Sequence, residues 1–217
     1  MLLLKEVHIL ALGAEHMRIT TILPTLMSLV ALLFSGYSLY ESVLRAPTLS
    51  IFVAPRIDYA DRGRPENSRE LFVLPITIAN SGARGATVLA VNLDVLNPRS
   101  KRTRKFYAAR LGTWSDKPWT PFAPVVLGGR GIYTHALQFE PLPGESGPRL
   151  LDQEAGIYTL KLSVDIAAAQ GGTLDTANVA PLMFEMQIGE LDYRYFQGTG
   201  TMEMWAPDNK SPVSGKP

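Results

Sequence analysis

The sequence predicts an all-β fold, a two-sheet sandwich preceded by one N-terminal transmembrane helix. Three observations predict it. Residues Ile19 to Tyr40 form a run without a single charge. After Arg45 the hydrophobic pattern switches to period two. Gly, Pro and Asn then break the chain into short segments. The 217 residues suffice for one sizeable domain with its own core, and are too few for two ordinary domains and a linker. The expected layout is an N-terminal tail over 1–18, an anchor over 19–41, the β-domain over 47–205 and a disordered tail over 206–217.

The anchor comes first. As a helix, Ile19 to Tyr40 would span roughly 33 Å, enough to cross the hydrocarbon layer. Pro24 and Gly36 are tolerated in membrane helices, and Tyr37 and Tyr40 stand where interfacial rings belong. A cleaved signal peptide and a buried soluble helix are the alternatives. The end of the run, Phe34-Ser35-Gly36-Tyr37-Ser38, is a poor cleavage site, and an uncharged run of this length is long for a soluble core. Lys5 and Arg18 on one side balance Arg45 and Arg56 on the other, so flanking charge does not set the orientation. The layout of one anchor ahead of a β-domain places the domain on the extracytoplasmic side by analogy. Upstream, Leu2, Leu3, Leu4, Val7, Leu10 and Ala11 could form one face of a short in-plane helix; an unstructured tail or a start at Met17 is the alternative.

The strands follow in order. Leu49, Ile51 and Val53 alternate with polar or outward positions, as do Phe72, Leu74, Ile76 and Ile78. Leu89, Val91, Leu93 and Val95 read as one face against Asn92 and Asp94. Tyr158, Leu160, Leu162, Val164 and Ile166 oppose Thr159, Lys161, Ser163 and Asp165, giving one dry and one wet face. Leu182, Phe184, Met186 and Ile188 repeat the pattern. Weaker strands are expected near 104–111, 122–127, 131–139 and 192–197. Ala167-Ala168-Ala169-Gln170 reads as a single helical turn. Asn80-Ser81-Gly82, Asn97-Pro98, Gly128-Gly129-Arg130-Gly131 and Leu142-Pro143-Gly144 supply turns, so the 18 Gly and 16 Pro punctuate strands. Eight or nine short strands fit a two-sheet sandwich.

Glu154-Ala155-Gly156-Ile157-Tyr158-Thr159-Leu160 resembles the tyrosine corner of immunoglobulin-like domains, and Ile76-Thr77-Ile78-Ala79-Asn80-Ser81-Gly82 resembles a hairpin of bacterial immunoglobulin-like surface domains, adhesion-related ones among them. The resemblance covers residues 47–200 in pattern and implies a binding or spacer module rather than a reaction. Leu160 stands where antibody domains have cysteine, so no inter-sheet disulfide is implied.

Composition narrows the chemistry. With no cysteine there is no disulfide scaffold, thiol nucleophile or cysteine-ligated zinc. A net charge of +1 argues against a nucleic-acid partner. His135, the one histidine beyond the anchor, shares parity with Tyr133, Leu137 and Phe139 and reads as structural. There is no Gly-x-Ser-x-Gly elbow and no phosphate-binding loop opening a helix. No enzyme, metal or cofactor is expected.

Two segments remain as candidate sites. Arg99, Lys101, Arg102, Arg104, Lys105 and Arg110 form a basic run, with no acid between Asp94 and Asp116. It would suit anionic lipid headgroups or an acidic partner, against a solvated hairpin whose charges protect an edge. Trp114 and Trp119 flank a polar loop and could stack on a glycan, anchor an interface or plug the end of the sandwich. The function expected is a membrane-anchored sandwich that binds or scaffolds a membrane or envelope protein, in contact with the bilayer through 19–41. A carbohydrate- or peptidoglycan-binding module using the two tryptophans is the second reading.

Overall fold

The computed structural model describes residues 23–61, 70–97, 99–113, 118–144, 156–170, 173–189 and 201–205. The chain divides into two compact units at Arg45/Ala46.

The first unit contributes helix α1, Leu23–Leu44, all of whose apolar side chains are open to the surroundings. Its last turn, Tyr40–Leu44, is π-helical, with Arg45 N donating to Tyr40 O at 2.9 Å. Glu41 and Arg45 pair across that turn at 3.0 Å. α1 thus has the length and composition of a membrane-spanning or signal segment.

Among the described residues the second unit contains twelve strands: β1 Leu49–Val53, β2 Arg56–Asp61, β3 Glu70–Asn80, β4 Ala86–Leu96, β5 Thr103–Gly112, β6 Thr120–Pro121, β7 Val125–Leu127, β8 Ile132–Pro141, β9 Gly156–Gln170, β10 Thr173–Asn178, β11 Leu182–Ile188 and β12 Thr201–Trp205. All pairings are antiparallel. The strands follow one another around a nearly closed barrel in the order β9, β11, β12, β2, β3, β8, β5, β4, and β4 pairs back onto β9 from Ala86↔Ala168 to Leu96↔Thr159. β12 bridges β11 and β2, meeting β11 at Gln187↔Trp205 and β2 from Thr201↔Ala60 to Trp205↔Arg56.

The ring overturns the expected two-sheet immunoglobulin-like sandwich, and with it the resemblance to bacterial immunoglobulin-like domains. Alternation shows only that each strand has one buried face. A sandwich and a barrel share that pattern and differ in whether the outer strands bond to each other. Here β4 and β9 do. Tyr158 is 2% exposed and faces the interior of β9, while Glu154 and Ala155 of the expected corner lie outside the described residues.

The interior holds the inward residues of every long strand. Ile57, Tyr59, Phe72, Leu74, Ile76, Ile78, Leu93, Phe106, Leu137, Phe139, Leu160, Leu162 and Met186 are all buried in one cluster. Tyr59, Phe72 and Phe106 stack in series, with ring centroids 5.0 Å apart at each step and an edge-on contact between the two phenylalanines.

Three local departures from the sequence reading have physical causes. Leu89 was grouped with Val91, Leu93 and Val95, but a bulge between Val88 and Ala90 reverses the parity there and turns Leu89 outward. The Ala167–Gln170 stretch is strand, because β10 and β4 both pair with the end of β9 and override the helix preference of alanine. β1 and β2 are one strand interrupted opposite Pro75. Ala54 N donates to Pro75 O at 3.0 Å, and Pro75 has no N–H to return the bond. The register of β1 on β3, Val53↔Ile76, accordingly differs from that of β2, Asp58↔Val73, by two residues. The strand expected near 192–197 lies outside the described residues.

Candidate functional site

The basic run splits as the chain folds. β4 and β5 form a hairpin whose register runs from Asn92↔Tyr107 to Leu96↔Thr103. Asn97 shapes the connecting turn: its Oδ1 accepts from Arg99 N at 3.0 Å and Ser100 N at 3.1 Å, and its backbone N donates to Arg102 O at 2.9 Å. Lys101 adopts φ 55°, the left-handed conformation the tight return requires. Arg99, Lys101 and Arg102 are all exposed on this turn. Lys105 follows on the outer face of β5, in register with Asp94, which also faces Lys161 of β9. A ladder of alternating charge therefore crosses three strands of the outer wall.

Arg110 stands further along the outer face, with Nε 3.8 Å from Glu140 Oε1. Arg104 is the exception. Its parity sends it inside, where Nη1 donates to Glu70 Oε2, and Tyr59 Oη donates to Glu70 Oε1 at 2.8 Å. Glu70 is fully buried and the Arg104 side chain is 7% exposed. Its Cζ also lies 6.0 Å from the centroid of Phe106. The sequence reading placed Arg104 with the surface charges because it sees only local charge density. Its buried acid, Glu70, is 34 residues away.

Of the two tryptophans in the polar loop, Trp119 is described. Trp119 is half-buried and folds back on β5: a Cβ at Gly112 would meet its Cε3 at 3.0 Å. Thr120 and Pro121 then pair with Leu111 and Arg110, and Phe122 N donates to Ala109 O at 2.9 Å. Trp119 thus covers a glycine on the outer wall. Trp114 lies outside the described residues.

His135 and Tyr133 do face inward, as parity implied, and their rings stack at 4.4 Å. Tyr133 Oη and His135 Nδ1 are buried with no hydrogen-bond partner. Burial raises the Tyr133 hydroxyl above its ordinary pKa of 10.0.

The opposite end of the barrel is organised by Asn80, which sequence reading took for a turn residue. Its Oδ1 accepts from Thr48 N at 3.1 Å and Gly82 N at 3.0 Å, and its Nδ2 donates to Arg84 O at 2.8 Å and Gly128 O at 3.1 Å. One amide thereby joins the entry of β1, the β3–β4 turn and the loop before β8. Among the described residues no group of three His, Asp or Glu side chains could hold a metal.

No protein-family model and no curated protein matches the sequence. Among solved structures, the chain is similar to one described as the ApaA protein from Bordetella pertussis, at 15% identity over 64% of this chain and 94% of that one, with a TM-score of 0.36. A protein from Archaeoglobus fulgidus matches at 8% identity over 65% of this chain and 96% of that one, with a TM-score of 0.28. Likenesses at this level assign no function to this chain.

Proposed function

We propose that this is a single-pass membrane protein whose barrel, on the extracytoplasmic side, docks an acidic surface of a membrane or envelope protein through the β4–β5 turn, without catalysis. This reading replaces the one drawn from an immunoglobulin-like sandwich. That expectation falls with the two-sheet fold.

The observation that carries the proposal is the exposed triad Arg99, Lys101 and Arg102 on a turn held by three hydrogen bonds to Asn97. A fixed turn loses little conformational entropy on docking, and clustered charge speeds encounter with an acidic partner. The turn stands at the end of β4 remote from Ala46, where the chain enters the barrel; β4 is 11 residues long. Tethering to a membrane would raise the local concentration of such a partner.

The test compares the intact chain with an Arg99→Glu/Lys101→Glu/Arg102→Glu variant in co-purification from the native membrane in mild detergent. The variant retains its stability within about 0.5 kcal/mol, since the three side chains are exposed, and loses a partner that the native chain retains. An unchanged set of co-purifying proteins, or a partner whose retention is insensitive to salt, refutes the assignment. A topology reporter after Pro217 checks the side of the membrane.

A further inference from the structure

Charge is distributed unevenly along the barrel. Hydrogen bonds fix which segments form the end where the chain enters. Asn80 ties Thr48 N to Arg84 O and Gly128 O, Ser81 N donates to Thr48 O, and Arg130 N donates to Gly82 O at 2.9 Å. The entry of β1, the β3–β4 turn and the Gly128–Gly131 turn therefore meet there. Three stretches build these turns and the wall beside them: 46–57, 71–93 and 117–139. Those stretches contain no Asp or Glu. Arg84 and Arg130 stand in the two turns, and Arg130 is exposed. The acids of the neighbouring wall, Asp58, Asp61, Glu70, Asp94 and Glu140, lie on the far parts of β2, β3, β4 and β8. Around the barrel, Asp165 of β9 accepts from Asn92 Nδ2 at 3.2 Å, and Asp175 lies on β10. The acid-free surface is thus one side of the entry end, formed by β1, β3, β8, β7 and β4.

The same surface carries the two most exposed large apolar side chains among the described barrel residues. Val126 on β7 and Ile132 on β8 stand at 79% and 72% exposure, on either side of the Gly128–Gly131 turn. Phe52 on β1 is exposed as well, in the outward row Phe52, Thr77, Thr134. Thr77 Oγ1 and Thr134 Oγ1 share a hydrogen bond at 3.0 Å, which lowers the cost of taking those hydroxyls out of water. Isolated exposed apolar residues are ordinary, but several on one surface without acids mark a contact face.

The chain itself points to what covers this face. Leu44 ends α1 and Leu49 opens β1, five positions later. A fully extended chain covers that separation in about 18 Å. With α1 in a bilayer, the entry end stays within that reach of it, whatever orientation the barrel takes. Lipid headgroups are then the most concentrated partner available to this end.

We propose that the acid-free surface rests on the bilayer, with Val126, Ile132 and Phe52 entering the boundary between headgroups and acyl chains and Arg84 and Arg130 meeting anionic lipid phosphates. This inference rests on the single-pass reading of α1. It leaves the β4–β5 turn, at the opposite end of β4, turned away from the lipid.

The chain has no cysteine, so single introduced cysteines report position without a background. Leu32→Cys in α1, Val126→Cys, Ile132→Cys and, on the β4–β5 turn, Ser100→Cys each receive a fluorophore. The full chain is reconstituted into vesicles of phosphatidylcholine and phosphatidylglycerol in equal amounts. Nitroxide-bearing lipids should quench the labels at 126 and 132 about threefold or more above that at 100, and aqueous acrylamide should quench them about threefold or more below it. The label at 32 should be quenched by lipids with the nitroxide deep in the acyl chain. Arg84→Gln/Arg130→Gln, or vesicles of phosphatidylcholine alone, should lower lipid quenching at 126 and 132 about twofold or more and leave that at 32 unchanged. The labelled positions in the barrel are exposed side chains, and thermal melts verify that every variant folds. Labels at 126 and 132 as open to acrylamide as that at 100 overturn the proposal; lipid quenching at 32 in the same vesicles shows that the single-pass reading survives it. A label at 32 that acrylamide reaches and lipid does not overturns both. Quenching at 126 and 132 that ignores the arginines and the anionic lipid overturns the headgroup contact.

Discussion

Arg104 reaches across the barrel interior to bind Glu70, and the carboxylate's other oxygen takes the hydroxyl of Tyr59. The pair lies beside the Tyr59–Phe72–Phe106 stack, so each buried charge is compensated in part by the other. Removing one partner takes a charged hydrogen-bond partner from the other at a buried position. Arg104→Met is expected to cost about 3–5 kcal/mol in denaturant unfolding, whereas Glu70→Leu/Arg104→Met together recover most of that loss. A double variant no more stable than the single one would show that the pair holds the strands in register by more than charge compensation.

Asn80 is expected to matter more than a turn residue ordinarily does. Its amide makes four hydrogen bonds to four backbone groups while only 3% exposed. Asn80→Ala should cost about 2–4 kcal/mol by leaving several of those groups unpaired. Asn80→Asp is expected to be no milder, because it turns a carboxylate oxygen toward the carbonyls of Arg84 and Gly128. Urea midpoints compare the three chains.

Tyr133→Phe should stabilise the barrel. The hydroxyl is buried without a partner, so its removal relieves a desolvation cost of about 1 kcal/mol and raises Tm by roughly 2–4 °C. The alkaline behaviour follows from the raised pKa. The folded chain holds the Tyr133 proton more tightly than the unfolded chain, whose value is near 10.0. The contribution is therefore intact below that value and is lost as pH rises through the higher folded pKa. Melts between neutral and strongly alkaline pH should show a smaller alkaline loss in Tyr133→Phe than in the native chain.

Gly82 and Gly36 give a paired contrast. A Cβ at Gly82 would lie 2.0 Å from Ala46 O, against backbone that cannot yield without moving the entry of β1. Gly82→Ala is expected to cost about 3 kcal/mol, at the upper end of overpacking penalties. Gly36 in α1 meets nothing within 4 Å, so Gly36→Ala should leave the melt unchanged. Equal effects of the two substitutions would mean that the Ala46–Gly82 approach relaxes freely.

The sequence by itself determined the parts whose information is local. The apolar run announced α1, because an uncharged run of that length belongs to membrane-spanning or signal segments. Period-two alternation announced β1, β3, β9 and β11 and chose their buried faces, because side chains alternate across a strand whatever lies next to it. It also put His135 and Tyr133 inside, and the glycine and asparagine turns where they are. The short strands β2, β10 and β12 escaped it, being brief or polar along their length, and Ala167–Gln170 was mistaken for helix.

Tertiary structure alone decided the rest. Closure depends on β4 meeting β9 some 70 residues away, and no local pattern distinguishes that ring from two stacked sheets. The bulge at Leu89 reversed a face that strict alternation had assigned. Arg104 left the basic surface for Glu70, and Trp119 folded onto Gly112. In each case the deciding partner is distant in the chain or is a backbone group, and a sequence pattern records neither.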